Sequence, residues 1–311
     1  MPSKRLKTDN YKICKVKNMK HISKSFQFVA TAALILFTSA CQQTQLSLTN
    51  ETAKSMPKVS VQLWSVNEDI KTDFKGTLLA LAQMGFVGVE FAGYFGPYAD
   101  DPQGLKAYLA ELGLAVSGAH VGLRHLTAQK FDKTVAFYQA LGTPMLIVPN
   151  GKRAYDPEQI NDFISDLNTI ARKLAGSGIG FGFHNHAREL APYKDTTFWD
   201  HIANSTSQQF IMQLDVGWAT YAGTDAAQLV RKYPGRTITT HYKAKYSDDV
   251  QGKQPFIGQD ITNWPEVIRA NIEVGGTQWL VVEQEEYPDN MSQLQAVKLS
   301  KVGLDRILAR M

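Results

Sequence analysis

Apolar residues recur along the chain in two rhythms. Short, nearly continuous runs occur at Val59–Leu63, Val87–Phe91, Ala115–His120, Met145–Val148, Ile179–His184, Phe210–Asp215, Thr237–His241 and Leu280–Glu283. Their length and apolar content predict strands buried on both faces. Between them the spacing changes to three and four. Leu78, Leu79, Leu81, Ala82 and Met84 form one such stretch, and Phe131, Val135, Tyr138 and Leu141 another. Ile160, Phe163, Ile164, Leu167 and Ile170 follow, then Trp264, Val267, Ile268 and Ile272, and finally Leu294, Val297, Leu299, Val302 and Leu304. These predict helices, with Gly85, Gly113 and Gly142 as stops.

Eight strands separated by helices over about 250 residues predict an α/β fold, a (β/α)8 TIM barrel forming a single domain over 58–311. A doubly wound open sheet usually carries a glycine-rich phosphate loop after its first strand. Here Leu63 is followed by Trp64-Ser65-Val66-Asn67, with no such loop.

Catalytic residues of such barrels come from the C-terminal ends of the strands. Those ends supply Gln62 and Trp64, Glu90, His120, Asn150, His184 and His186, Asp215 and Trp218, His241 and Lys243, and Glu283. Strand ends that only pack would finish in apolar or turn residues. The last four predicted strands can place two imidazoles and two carboxylates at one rim, a donor set suited to one divalent ion (Mn, Zn, Fe, Co or Mg). His184 and His186 are two apart and share a side of their strand, so either can be the imidazole ligand from that strand.

The first forty residues have another character. Eight Lys/Arg and one acid give them a net +7, and the apolar run 26–37 leads into Thr38-Ser39-Ala40-Cys41. This predicts a signal peptide over 1–40, with Met19 as a second possible start. The run is shorter than the roughly 20 residues of a spanning helix. Cys41 after small residues predicts lipidation, although Thr38 stands where Leu is usual, and the polar stretch 41–57 predicts a tether. The expected location is therefore exported, periplasmic or anchored to the outer membrane as a lipoprotein, with membrane contact only through the lipid. Against a whole-chain charge of +4, a leader of +7 leaves −3 for the remainder, which carries no electrostatic footprint for nucleic acid. Cleavage also removes Cys14, so Cys41 has no thiol partner for an intramolecular disulfide.

Val61-Gln62-Leu63-Trp64-Ser65, Gly88-Val89-Glu90, His184-Asn185-His186 with Glu189, Leu214-Asp215-Val216-Gly217-Trp218, His241-Tyr242-Lys243 and Val282-Glu283-Gln284 together resemble the xylose-isomerase-like TIM barrels known as sugar phosphate isomerases/epimerases. The resemblance spans roughly 58–309. It implies one divalent metal held by His184, Asp215, His241 and Glu283, which leaves His186 to contact substrate. Two departures stand out: His184 occupies a position where many relatives carry Glu, and Ala244 follows Lys243 where Asp is common. The facing pair of carboxylates used by epimerases of this type is thereby reduced to Glu283.

The expected activity is a metal-dependent sugar isomerase or epimerase working through an enediolate on a small sugar. A divalent ion lowers the pKa of a C–H beside a carbonyl, and a base within reach removes the proton. Glu283, His184 or His186 is the candidate base, and Lys243 can steady the developing oxyanion. Glu90 and His120 are assigned to substrate hydroxyls or acid–base work, Gln62 and Asn150 to substrate binding, and Trp64, Trp218 and Tyr94 to a sugar face or to rim packing. Loss of the paired Glu also suits a lyase or dehydratase acting on an oxidised sugar such as a 3-oxo-glycoside. A non-catalytic sugar-binding lipoprotein is the reading from another class. Repair of abasic DNA, served by a related fold, would need clustered zincs and a basic face. No Arg cluster at the strand ends marks a phosphate site.

Overall fold

The computed structural model describes residues 55–311 apart from 248, 289 and 290. The predicted signal, Met19, Cys41 and most of the tether lie outside the described residues. Ten strands follow in order: β1 (Lys58–Gln62), β2 (Gly88–Phe91), β3 (Ala115–His120), β4 (Met145–Val148), β5 (Gly180–His184), β6 (Pro192–Tyr193), β7 (Thr196–Thr197), β8 (Ile211–Asp215), β9 (Thr239–Tyr242) and β10 (Trp279–Val282). Eight of them close a parallel barrel in the order β1-β10-β9-β8-β5-β4-β3-β2. β6 and β7 pair antiparallel as a small separate hairpin after β5, an element that two-residue strands leave invisible in the hydrophobic pattern.

All eight predicted barrel strands are present; Ala115–His120 and Met145–Val148 keep their predicted bounds, and the other six have shifted ends. β9 begins at Thr239 rather than Thr237 because the Thr237 N–H donates to the Gly275 carbonyl instead of joining the ladder. β10 ends at Val282, yet the Glu283 N–H still donates to the Tyr242 carbonyl at 3.1 Å, which keeps Glu283 at the rim.

The expected helices lie between the strands at Phe74–Gln83, Phe131–Leu141, Ile160–Leu174 and Trp264–Ala270, and after the last strand at Gln293–Leu308. The third buries Ile160, Phe163, Ile164, Leu167 and Ile170 on one face. Leu79 and Leu299 depart from expectation and face solvent, at 44% and 37% exposure. Ile272 falls in a π turn, Asn271–Gly275, that continues the Trp264 helix. Gly142 ends the Phe131 helix in the left-handed region, at φ 82°, where a side chain would be strained.

Two apolar bodies result. The larger lies between strands and helices. The smaller, Met145, Ile147, Ile211, Trp279 and Val281, comes from alternate positions on β4, β8 and β10 and fills the barrel interior. Continuing that alternation along β8 and β10 brings Gln213, Asp215 and Glu283 inward above the plug. Gly182 lets β5 approach β8 closely, since a Cβ there would sit 2.2 Å from the Ile211 carbonyl oxygen. That approach sets the register His184↔Gln213, and β8 in turn pairs Asp215 with His241.

Candidate active site

Above the plug lies a buried polar layer centred on Glu90. A register shift between Val89 and Glu90 places it opposite Gly118, where a Cβ would stand 3.1 Å from the Glu90 carboxylate. The Glu90 side chain accepts from Gln62 Nε2 and Gln213 Nε2, each at 2.8 Å, and from His241 Nε2 at 2.6 Å. His120 Nε2 lies 3.2 Å away. Burial favours the neutral acid, but the His241 and His120 charges and these donors outweigh it and lower the Glu90 pKa. Glu90 and Gln62 are fully buried and lie beneath the cavity rather than on its wall. Both stand behind the histidines of the site, Glu90 against His120 and His241 and Gln62 against Glu90.

Gln213, a residue the hydrophobic pattern does not mark, joins Glu90 to His120 and His184. Its Oε1 accepts from His184 Nδ1 at 3.0 Å and from His120 Nε2 at 2.8 Å, while its Nε2 donates to Glu90. With Nδ1–H committed to Gln213, the His184 lone pair resides on Nε2, the atom 3.6 Å from Asp215 Oδ2. Burial and the neighbouring His241 and His120 hold His184 well below the ordinary histidine range, so it is neutral, as a ligand must be.

One potential ligand atom from each of His184, Asp215, His241 and Glu283 lies within 4.8 Å of the others, and all four residues are buried. Asp215 Oδ1 accepts from the Trp218 N–H at 2.8 Å. Its Oδ2 is buried without a hydrogen bond, although Lys243 Nζ stands 3.0 Å away as an ion pair. Lys243 thus answers the charge of this oxygen while leaving it without a hydrogen bond. The fit to a divalent ion rests on the mixed N/O donor set, two imidazoles and two carboxylates buried within reach of one another. His120, His184 and His241 form a second close group, but Gln213 already takes Nε2 of His120.

His241 carries a different balance. Burial alone would lower its pKa, but Glu90 on one side and Glu283, 2.9 Å from Nδ1, on the other raise it to about 10, so Nδ1 must give up its proton before it can ligate a cation. Glu283 is held well below the carboxylate range, burial being outweighed by Lys243 and His241. Lys243, itself buried, contacts Asp215, Glu283 and Glu285. Burial would favour its neutral amine, but these carboxylates keep it charged.

His184, His186, His120, Glu283, Asn150 and Trp64 line a cavity of about 760 Å³ above the cluster. His186 stands outside the ligand group, its ring 5.1 Å from that of His184 and 5.4 Å from Trp218. Burial lowers its pKa below the ordinary value. Trp218 lies off the cavity wall and covers the ammonium groups of Lys243 and Lys245, at 5.4 and 4.6 Å. Tyr94 packs edge-on against Phe74 at 6.0 Å and is also absent from the wall. Glu285, passed over in the sequence, lines the cavity and accepts from Lys243 at 2.8 Å. Alternation two residues beyond Glu283 is the signal that marks it.

A closed parallel barrel whose strand ends gather a mixed histidine–carboxylate cluster under a cavity defines the metal-capable class of TIM barrels. Within that class the chain belongs to the xylose isomerase-like TIM barrel family, whose description matches residues 78–304. That family includes sugar isomerases and epimerases. A segment of 158 residues is 23% identical to the rhizopine catabolism protein MocC of Rhizobium meliloti, covering 46% of this chain and 48% of that protein. The match thus spans about half the length of the curated relative. Among solved structures, a sugar phosphate isomerase/epimerase from Parabacteroides distasonis superposes with a TM-score of 0.64 at 22% identity, covering 81% of this chain and 95% of that one. The probable 3-DHS dehydratase AsbF from Bacillus anthracis gives 0.61 at 13% identity over 80% and 98%. These two likenesses share the fold.

Proposed function

We propose that the protein is a divalent-metal-dependent enzyme that removes a proton beside the carbonyl of a small sugar, as an isomerase or epimerase. The observation that carries this reading is the convergence of His184, Asp215, His241 and Glu283 beneath the cavity. A cation held there supplies Lewis acidity to a carbonyl and its neighbouring hydroxyl. His184 presents Nε2, and Gln213 and Glu90 fix the two ligating imidazoles from behind. Glu283 and His186 both border the cavity and are the groups placed to take and return the proton. Lys243 balances the charge of three carboxylates and so positions Glu283 rather than touching substrate.

A second reading is elimination from an oxidised sugar. His184 stands where a two-Glu epimerase would carry its second carboxylate. Here the proton leaves to Glu283 or His186 and a β-substituent departs. The exported, Cys41-anchored location is part of the same proposal, as is a substrate that reaches the enzyme outside the cytoplasm.

The test is metal content of the purified protein and of His241→Ala and Glu283→Ala, together with solvent deuterium uptake into ketoses and aldoses by NMR. Near-stoichiometric metal, lost in both variants, with metal-dependent uptake is the expected result. Loss of a substituent from the labelled sugar selects the lyase. Absence of both metal and uptake overturns the proposal in favour of a binding protein.

A further inference from the structure

The cavity has a second chemical pole that the metal-ligand cluster does not use. Arg124, His125, Lys130 and Lys133 line it, carried by the turn Leu123–His125 directly after β3 and by the start of the Phe131–Leu141 helix. The carboxylates on the cavity wall, Glu283 and Glu285, come just after β10, three strands around the barrel from β3. None of Arg124, Lys130 and Lys133 forms an ion pair among the described residues. Arg124, His125, Lys130 and Lys133 are all exposed, at the mouth of the cavity rather than in its depth, and the little desolvation of His125 and the charges of Arg124 and Lys130 hold its imidazole below the ordinary range. Beside these cations Phe95 and Phe137, with ring centroids 4.6 Å apart, form an apolar wall.

Like charges gathered on one wall of a concave site repel one another and focus a positive potential into it. An anion seated between them relieves that repulsion and gains charge-assisted hydrogen bonds. We propose that Arg124, Lys130 and Lys133 form a subsite for an anionic group, a carboxylate or a phosphate monoester, carried by the substrate at the end remote from the metal-ligand cluster. This rests on the sugar-processing reading and narrows its substrate class from neutral sugars to acidic ones. The sequence concealed the subsite because its residues sit on a loop and a first helical turn, where scattered Lys and Arg ordinarily read as a solvated face.

The test is calorimetric binding of D-glucuronate, D-glucose 6-phosphate and D-glucose to the full protein and to the triple variant Arg124→Met, Lys130→Met, Lys133→Met, at low and at raised ionic strength. At least one acidic sugar is expected to bind about tenfold or more tightly than glucose, with the advantage falling in salt and vanishing in the triple variant. The larger gain identifies carboxylate or phosphate as the source. Single Lys→Arg variants at 130 and 133 should keep the preference, which separates a charge effect from damage to the loop. Equal binding of all three sugars, or a preference that survives in the triple variant, overturns the subsite. Metal content and deuterium uptake into neutral sugars are measured on the same samples. If those persist without an anion preference, the subsite alone fails; if they are absent while the anion preference holds, it is the metal-enzyme reading that fails.

Discussion

Glu90 Oε1 lies 2.6 Å from Nε2 of His241, on the side of the imidazole opposite Glu283. The carboxylate accepts the Nε2 proton and turns Nδ1 toward the ligand cluster, the arrangement by which a carboxylate orients a metal-binding histidine. Glu90→Gln should weaken Mn²⁺ or Zn²⁺ binding by about 10–100-fold with the fold retained. Metal titration beside a melting curve checks this, and unchanged affinity would remove the orienting role.

Gln213 sits at the junction of four partners, His120, His184, Glu90 and Thr239. Gln213→Leu leaves several of these without a partner at a buried position, so it should destabilise the protein by about 1–3 kcal/mol or more and free the His184 tautomer. Denaturant unfolding measures the first effect. Weakened metal binding by material that is still folded would show the second, and a variant as stable and as metal-avid as the parent contradicts both.

The four ligand candidates were legible because each ends a strand whose apolar run announces it, and parallel strands of one barrel deliver their ends to one rim. Gln213 was hidden one alternation step inside such a run, where a polar residue between Met212 and Leu214 carries no periodic signal. Glu90 and Gln62 were found, but their depth was not, since it depends on the shift between Val89 and Glu90 and on the space left by Gly118. Which of His184 and His186 joins the cluster also depends on a tertiary contact, the Gln213 hydrogen bond. Surface placement of Leu79 and Leu299 reflects helix faces that a crowded apolar stretch does not resolve.

Cys41 lies outside the described residues, and the sequence alone motivates its lipidation. In a host that processes lipoproteins, the protein should partition into detergent and into the membrane fraction, and Cys41→Ala should shift it to the soluble fraction. Recovery of an unlipidated mature protein beginning at another residue, established by mass spectrometry, would exclude the anchor.

Away from the site, Asp200 caps the helix Phe198–Asn204 reciprocally with Thr197, accepts from the Tyr233 hydroxyl and pairs with Lys232 at 2.9 Å. Burial raises its pKa, but the Tyr233 and Lys232 contacts outweigh it, and the net shift is downward. The folded state therefore binds this proton less readily than the unfolded chain. The contribution of Asp200 is fully present above the unfolded carboxylate value of about 3.9 and is lost as pH falls through the lower folded value. Asp200→Asn should then cost about 1–3 kcal/mol at pH 7, with the gap between variant and parent closing at pH values below about 3.9. Urea unfolding of both proteins across that window measures it. A gap that stays constant with pH would mean that packing, not the ionised carboxylate, holds this corner.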